Sequence, residues 1–407
     1  MRFGPECTII EGKKLPQKEG GGVSYPPLSL YIHIPFCKQK CAYCDFPSFA
    51  GLESCYDDYV EALCSELKRS ADLCRDYTIP TVFFGGGTPT VLSPKQLGRL
   101  MDVVMRKYRL EDGAEITMEA NPGTLDKKML TELSAMGVNR LSMGLQAWQN
   151  RHLKRLGRIH TQEEFVQNYA DARAAGFQNI NVDVMFGLPG QTLNDWAETL
   201  EHVVQLSPDH LSAYSLTVEE GTPFFEQQEA GTLNLPGEAM DRRMYALARD
   251  VLPRFGYYQY EISNFARDGK ESRHNLVYWT CNEYLGLGLA AHSYVAGDRF
   301  HNTRDMKKYL EARGNKRAML EEMERLTPED KMAEFCFMGL RLTRGISTAE
   351  FEKRFGAAFA DVYGPVAERF RDEGLLKKTD EGWALTSRGL DVANTVFAAF
   401  ILDKKEK

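Results

Sequence analysis

No stretch of the chain reaches the roughly 18 consecutive apolar residues that a membrane-spanning helix requires, so no such helix is expected. The opening segment, MRFGPECTIIEGKKLPQKEGGG, lacks a continuous apolar region and a small-residue cleavage pattern. Secretion is therefore disfavoured, and the cytoplasm is the expected compartment. Positive charge is not in excess either: 50 Lys and Arg face 57 Asp and Glu, for a net charge of −7. Nucleic acid is not the expected partner, because phosphate binding rests on clustered cations. The nine cysteines lack the even, dense spacing of a disulfide framework. The glycine run Gly85-Gly86-Gly87 is not followed by Gly-Lys-Ser/Thr, so a Walker phosphate cradle is also excluded.

What is present is the composition of a globular protein, 43% hydrophobic and 26% charged over 407 residues. That length accommodates one barrel-sized domain with one or two smaller units. Residues 1–25 show no periodicity and read as a flexible extension. From residue 26 to about 235, strand-like and helix-like segments alternate. LSLYIHI (28–34), TVFF (81–84), EITMEA (115–120), RLSMGLQ (140–146), NINVDVMFGLP (179–189) and HLSAYSL (210–216) read as strands. Between them lie helical stretches near 54–75, 94–108, 125–137, 161–176 and 193–206. Ser93 precedes Pro94 as an N-cap, and Thr161 with Glu164 forms a capping box. Such βα alternation predicts a parallel sheet with helices outside and ligands at the strand C-terminal ends. A full or partial barrel and an open doubly wound sheet both fit the pattern. Residues 236–324 form a mixed α/β continuation, with a helix near 238–255 and aromatic strands in YYQYEI (257–262). Residues 325–407 are helix-rich and end in GLLKKTDEGWALTSRG, a helix-then-hairpin order like that of a winged helix. With acid and base mixed and no basic stripe, that tail reads as a lid or docking unit rather than a DNA reader.

Three cysteines crowd into Cys37-Lys-Gln-Lys-Cys41-Ala-Tyr-Cys44. Thiolates serve iron–sulfur clusters or zinc. A closed zinc site wants four ligands, and no second pair of cysteines exists. His33 is an available fourth ligand, but its place inside a strand also fits a hydrogen-bonded core residue. Three thiolates on a cubane leave one iron open. The remaining cysteines are scattered, and Cys64 and Cys74 fall among the apolar positions of a helix as small hydrophobes.

The C-x3-C-x2-C loop, with the aromatic Tyr43 before its third cysteine, resembles the signature of the radical S-adenosylmethionine (SAM) superfamily. The longer string YIHIPFCKQKCAYCDF narrows the resemblance to the oxygen-independent coproporphyrinogen oxidase-like group, and it runs from about Leu28 to the C-terminus. It implies a radical SAM partial (β/α) barrel followed by a mostly helical, winged-helix-like C-terminal domain. It also implies a [4Fe-4S] cluster on Cys37, Cys41 and Cys44, whose open iron chelates SAM. Reduction of that cluster cleaves SAM to methionine and a 5′-deoxyadenosyl radical; the cofactor supplies this chemistry and the protein supplies position.

By the same resemblance, Gly86, Gly87 and Thr88 hold the methionine amino group of SAM, and Tyr31 and Tyr43 contact the cofactor. Glu119, Gln146, Arg158 and Asp183 match further pocket positions. Carboxylates suit the ammonium and ribose hydroxyls, and the Arg158 fork suits a carboxylate. In the oxidases a second SAM occupies some of these positions, so which molecule they touch is open.

The oxidases resemble C-x3-C-x2-C-x-C, whereas this chain carries Phe46 at the fourth position. That departure, and the string His274-Asn-Leu-Val-Tyr278-Trp279, resemble the HemW branch, described as heme chaperones. His is a common axial heme ligand, and Tyr and Trp offer flat apolar contact. His274 is accordingly the expected heme-binding residue; His292 and His301 are further candidate ligands, for which a structural reading is favoured. A heme chaperone passing heme to membrane-bound respiratory enzymes, and active as a cluster-dependent homodimer, is what this branch implies. The alternative is an enzyme, oxidative decarboxylation of coproporphyrinogen III to protoporphyrinogen IX.

Overall fold

A computed structural model describes residues 25–401. The expected N-terminal extension lies, except for Tyr25, outside the described residues. Six strands hydrogen-bond in parallel in chain order: β1 (Ser29–Ile34), β2 (Ile79–Gly86), β3 (Leu110–Ala120), β4 (Arg140–Gln146), β5 (Ile180–Phe186) and β6 (His210–Ser215). They are the six strands that the sequence alternation marks. β1 and β5 are covered on both faces, which is why SLYIHI and INVDVMF read as nearly continuous apolar runs. The helices between them pack outside. Pro94–Lys107 starts at Ser93, whose hydroxyl accepts the Gln96 N–H while the Gln96 side chain accepts the Ser93 N–H. Gln162–Ala174 starts at Thr161 with a reciprocal bond to Glu164. Both caps satisfy amide donors that the first helical turn leaves without partners.

The sheet extends beyond these six. β7 (Tyr258–Gln259) and β8 (Asn264–Ala266) continue past β6 in antiparallel pairing. On the opposite side, β9 (Tyr284–Leu287) joins β1 in parallel. β10 (His292–Val295), β11 (Asp298–Asn302) and β12 (Leu320–Arg325) then follow as antiparallel strands. The order β12-β11-β10-β9-β1-β2-β3-β4-β5-β6-β8-β7 is open at both ends, as expected of the partial barrel that the resemblance implies. The expected aromatic strand at 257–262 is shorter than its pattern. Tyr257 is buried with its hydroxyl on Pro208 O, and Glu261 turns inward toward Arg341 and makes only an isolated bridge to Leu342, so the strand is confined to Tyr258 and Gln259.

A separate apolar core, containing Phe335, Phe351, Tyr363 and Trp383, organises the C-terminal region. There the helices Pro328–Gly339, Thr348–Phe355 and Phe359–Asp372 surround a small antiparallel sheet. Its strands are β13 (Ile346–Ser347), β14 (Leu376–Lys378) and β15 (Gly382–Leu385), in the order β13-β15-β14. Helices followed by a β14–β15 hairpin give the winged-helix-like order expected of this tail. No helix among the described residues is long and apolar enough to cross a membrane.

One buried carboxylate ties the first helix, Tyr56–Leu73, to the β9–β11 side of the sheet. Glu66 is fully buried. It accepts hydrogen bonds from the Gly288 amide at 2.9 Å, Asn302 Nδ2 at 2.9 Å, the Tyr309 hydroxyl at 2.8 Å and Lys316 Nζ at 3.3 Å. Lys316 is its only cationic contact among these. Removing that cation leaves a buried charge uncompensated, so Lys316→Met is expected to lower stability by about 3 kcal/mol. Denaturant unfolding at neutral pH checks this; an unchanged midpoint contradicts it.

Candidate cluster and cofactor site

The three cysteines lie in the loop that leaves β1, against the loop that leaves β2. The Cys37 amide donates to Phe49 O at 2.9 Å and the Ala42 amide to Leu156 O at 3.0 Å, which fixes the loop at both flanks. Gly87 N–H donates to Ile34 O, and Thr88 N–H to Phe36 O at 2.7 Å. This contact leaves no space for side chains. A Cβ on Gly87 would fall 2.5 Å from Phe36 O and 3.0 Å from Cys37 Sγ. A Cβ on Gly86, whose φ is +114°, would fall 2.4 Å from the His33 ring.

His33 is held on both sides. Its Nε2 donates to Pro47 O at 2.9 Å, and its Nδ1 accepts from the Tyr31 hydroxyl at 2.9 Å. Burial pushes its pKa down to about 4, which keeps the ring neutral. It therefore serves as a strut between β1 and the loop after Cys44, and neither nitrogen is available to a metal. Among the described residues, no three His, Cys, Asp or Glu side chains converge closely enough for a single ion. Three thiols on one loop, beside glycine backbone, fit a cluster. Burial raises the thiols of Cys37 and Cys44, and iron would take them as thiolates.

A cavity of about 430 Å³ opens beside these cysteines at the C-terminal ends of β1–β6. Tyr43, Gly86, Gly87, Thr88, Glu119, Gln146, Arg158 and Asp183 all line it, so one wall brings together residues that are far apart in the sequence. Arg158 donates from Nη2 to Asn121 Oδ1 and Gly144 O, each at 2.8 Å, and points Nη1 at Cys41 Sγ, 3.6 Å away. Asp183 accepts from Ser142 Oγ at 3.1 Å and Asn181 Nδ2 at 2.7 Å, with burial raising its pKa. Gln146 sits at a β-bulge in β4 with φ +73°, which aims its side chain at the Tyr214 hydroxyl, 3.0 Å away.

Two expected site residues are placed elsewhere. Tyr31 lines a second cavity, of about 330 Å³, that shares Phe46, Gly86 and Glu119 with the first. His274 lines neither. It is 1% exposed, and both ring nitrogens are engaged: Nδ1 with the Thr81 hydroxyl at 2.8 Å and Nε2 with the Tyr278 hydroxyl at 2.9 Å. Burial lowers its pKa to about 3. His274, the expected heme-binding residue, thus sits enclosed in the Arg273–Trp279 helix, while Asn275 and Trp279 reach the first cavity and Tyr278 the second. The sequence reading missed Ser212 and Tyr214, legible only as inward positions of β6. It also missed Glu261, Asn264 and Arg341, which no motif marks.

Glu119 accepts the Gly86 N–H at 3.1 Å, and burial together with nearby Asp183 raises its pKa to about 8. The unfolded carboxyl titrates near its ordinary 4.5, so the folded chain holds an extra proton between the two values. Stability therefore falls as pH rises through that window. Glu119→Gln removes the effect. Without SAM, its stability relative to the unsubstituted chain is expected to rise by roughly 2–4 kcal/mol from pH 5 to pH 8. Denaturant unfolding at both pH values checks this, and a constant difference contradicts it.

Comparison with known proteins agrees with this geometry. Residues 31–203 match the Radical SAM superfamily, and residues 326–392 match the HemN C-terminal domain. The chain is 37% identical to the heme chaperone HemW of Bacillus subtilis (strain 168), across 92% of this chain and 99% of that protein. It is 35% identical to HemW of Escherichia coli (strain K12), across 94% and 100%. A mitochondrial radical S-adenosyl methionine domain-containing protein 1 from Danio rerio is 34% identical, across 92% and 87%. Among solved structures, the coproporphyrinogen III oxidase HemN of Escherichia coli superposes with a TM-score of 0.82 at 26% identity, covering 93% of this chain and 90% of that one. Radical SAM membership implies a [4Fe-4S] cluster and SAM. The chain belongs to the HemW-like family of the radical SAM superfamily.

Proposed function

We propose that this chain holds a [4Fe-4S] cluster on Cys37, Cys41 and Cys44, binds SAM in the adjoining cavity, and binds heme for transfer to membrane respiratory enzymes. The observation that carries this reading is similarity to heme chaperones over nearly the whole length of both chains. Phe46 supports it. In the resembled oxidases the corresponding position is a fourth cysteine; here it is an aromatic ring, 60% exposed, at the rim between the two cavities.

When bound, the cluster and SAM supply one-electron chemistry at the sulfonium. The chain's own residues position the parts. Gly86 and Gly87 let a ligand approach bare backbone. Glu119 and Asp183 place two buried carboxyls in one cavity, where a cationic ligand offsets their mutual repulsion. Arg158 sets a fixed cation beside Cys41 Sγ.

The structural likeness to HemN favours a second reading, porphyrinogen decarboxylation. One experiment separates the two. The protein is purified without oxygen, reconstituted and reduced, then given SAM with either coproporphyrinogen III or hemin. The chaperone reading expects stable hemin binding, transfer to an apo-cytochrome acceptor, and a porphyrinogen that keeps all its carboxyl groups by mass spectrometry. Loss of two carboxyl groups from the porphyrinogen contradicts it.

A further inference from the structure

Four polar atoms on the wall of the first cavity are left without partners. Glu261 Oε2, Asn264 Oδ1, Trp279 Nε1 and Arg341 Nε are buried and make no hydrogen bond among the described residues, and all four side chains line that cavity. Glu261 is 0% exposed and Asn264 6%. Burying a polar group unsatisfied is unfavourable, so a set of them on one cavity wall marks where a ligand completes the bonding. None of the four is a position that the radical SAM resemblance assigns to SAM.

Arg341 joins the set together. Its guanidinium carbon lies 4.3 Å from the centroid of the Trp279 ring, and its Nη2 stands 3.6 Å from Glu261 Oε2, an ion pair too long for a hydrogen bond. The backbone fixes it there: the Ile262 amide donates to Arg341 O at 3.1 Å, and the Thr343 amide to Tyr260 O at 3.0 Å. Arg341 falls within the segment that matches the HemN C-terminal domain, so that domain contributes a cation to the cofactor cavity. The permanent charge of the set is positive, and the N–H donors of Arg341 and Trp279 have no acceptor. Burial raises the Glu261 carboxyl above its usual range, and in its protonated form it is a third donor. Donors gathered around one guanidinium suit the two oxygens of a carboxylate. A third cavity, of about 790 Å³, shares Tyr214, Ser263 and Arg341 with the first, so room for a ligand larger than SAM continues past Arg341.

We propose that Arg341 and Trp279, with Glu261 and Asn264 beside them, form a carboxylate subsite that takes a propionate arm of the bound tetrapyrrole. The assignment rests on the heme-binding reading above and adds the anchor for that arm; it is independent of which side chain ligates the iron. It also gives the C-terminal domain a part in binding, because Arg341 reaches the cavity only while that domain is docked. The methionine carboxylate of SAM offers the same chemistry, and the experiment separates the two sources.

The test compares hemin with hemin dimethyl ester, which lacks the carboxylates, on the cluster-reconstituted protein. The unsubstituted chain is expected to bind hemin about tenfold more tightly than the ester. Arg341→Gln alone would leave Glu261 buried without its cation, so it is combined with Glu261→Gln, with unfolding midpoint and iron content as controls. In this double variant the preference for hemin is expected to disappear. In Trp279→Phe, which keeps an aromatic ring and loses the N–H, the preference should fall about threefold. An unsubstituted chain that binds hemin and ester equally overturns the subsite. So does a preference that both variants retain in full. If the double variant loses SAM affinity while the preference for hemin stands, the carboxylate held here is that of SAM and the assignment to a propionate is wrong. If the unsubstituted chain binds neither hemin nor its ester, the heme reading itself falls.

Discussion

Everything at this site depends on bare backbone where the loops after β1 and β2 meet. Gly86 and Gly87 have no room for a methyl group: one faces the His33 ring and the other faces Phe36 O and Cys37 Sγ. Because these loops touch, Ile34 O and Phe36 O accept backbone amides from across the gap, and the cysteine loop gains a fixed platform. His33 secures the same loop from below, through Pro47 and Tyr31. The cysteines can then present their thiols to one cavity. A cluster needs such a frame, since it contributes no secondary structure of its own.

The parallel sheet turns this local contact into a pocket. Its strands end on one side, so Glu119 from β3, Gln146 from β4 and Asp183 from β5 meet the cysteine loop although Cys37 and Asp183 lie 146 positions apart in the sequence. Burying two carboxyls together is unfavourable, and Glu119 keeps its proton to an unusually high pH as a result. Such strain between neighbouring carboxyls, beside an arginine aimed at a thiol, is expected of a site shaped for a charged ligand. Asn275 and Trp279, half-buried on the Arg273–Trp279 helix, line the same cavity.

Much of this was legible in the sequence because it is local. Capping residues Ser93 and Thr161, the apolar runs of β1 and β5, and the C-x3-C-x2-C spacing are each decided within a few positions. The cavity wall was readable wherever a polar residue ended an apolar strand, as at Glu119 and Gln146. What escaped was set by long-range packing. β9 lies parallel to β1 only because the chain returns past 250 residues, and a short apolar run cannot announce its partner. His274 carried the motif yet is consumed by Thr81 and Tyr278, whereas His292, which looked ordinary, faces a cavity with its nitrogens free. Glu261 and Arg341 form their part of the cavity across eighty residues and leave no pattern in either segment.

The most direct test of the central claim is electron paramagnetic resonance of the reconstituted, reduced protein before and after SAM is added. Three cysteine ligands leave one iron open to the amino and carboxylate groups of SAM, so the [4Fe-4S]⁺ signal should change its g values on addition. Cys41→Ser should abolish the signal. A cluster signal that SAM does not alter, or one that survives Cys41→Ser unchanged, would contradict the account.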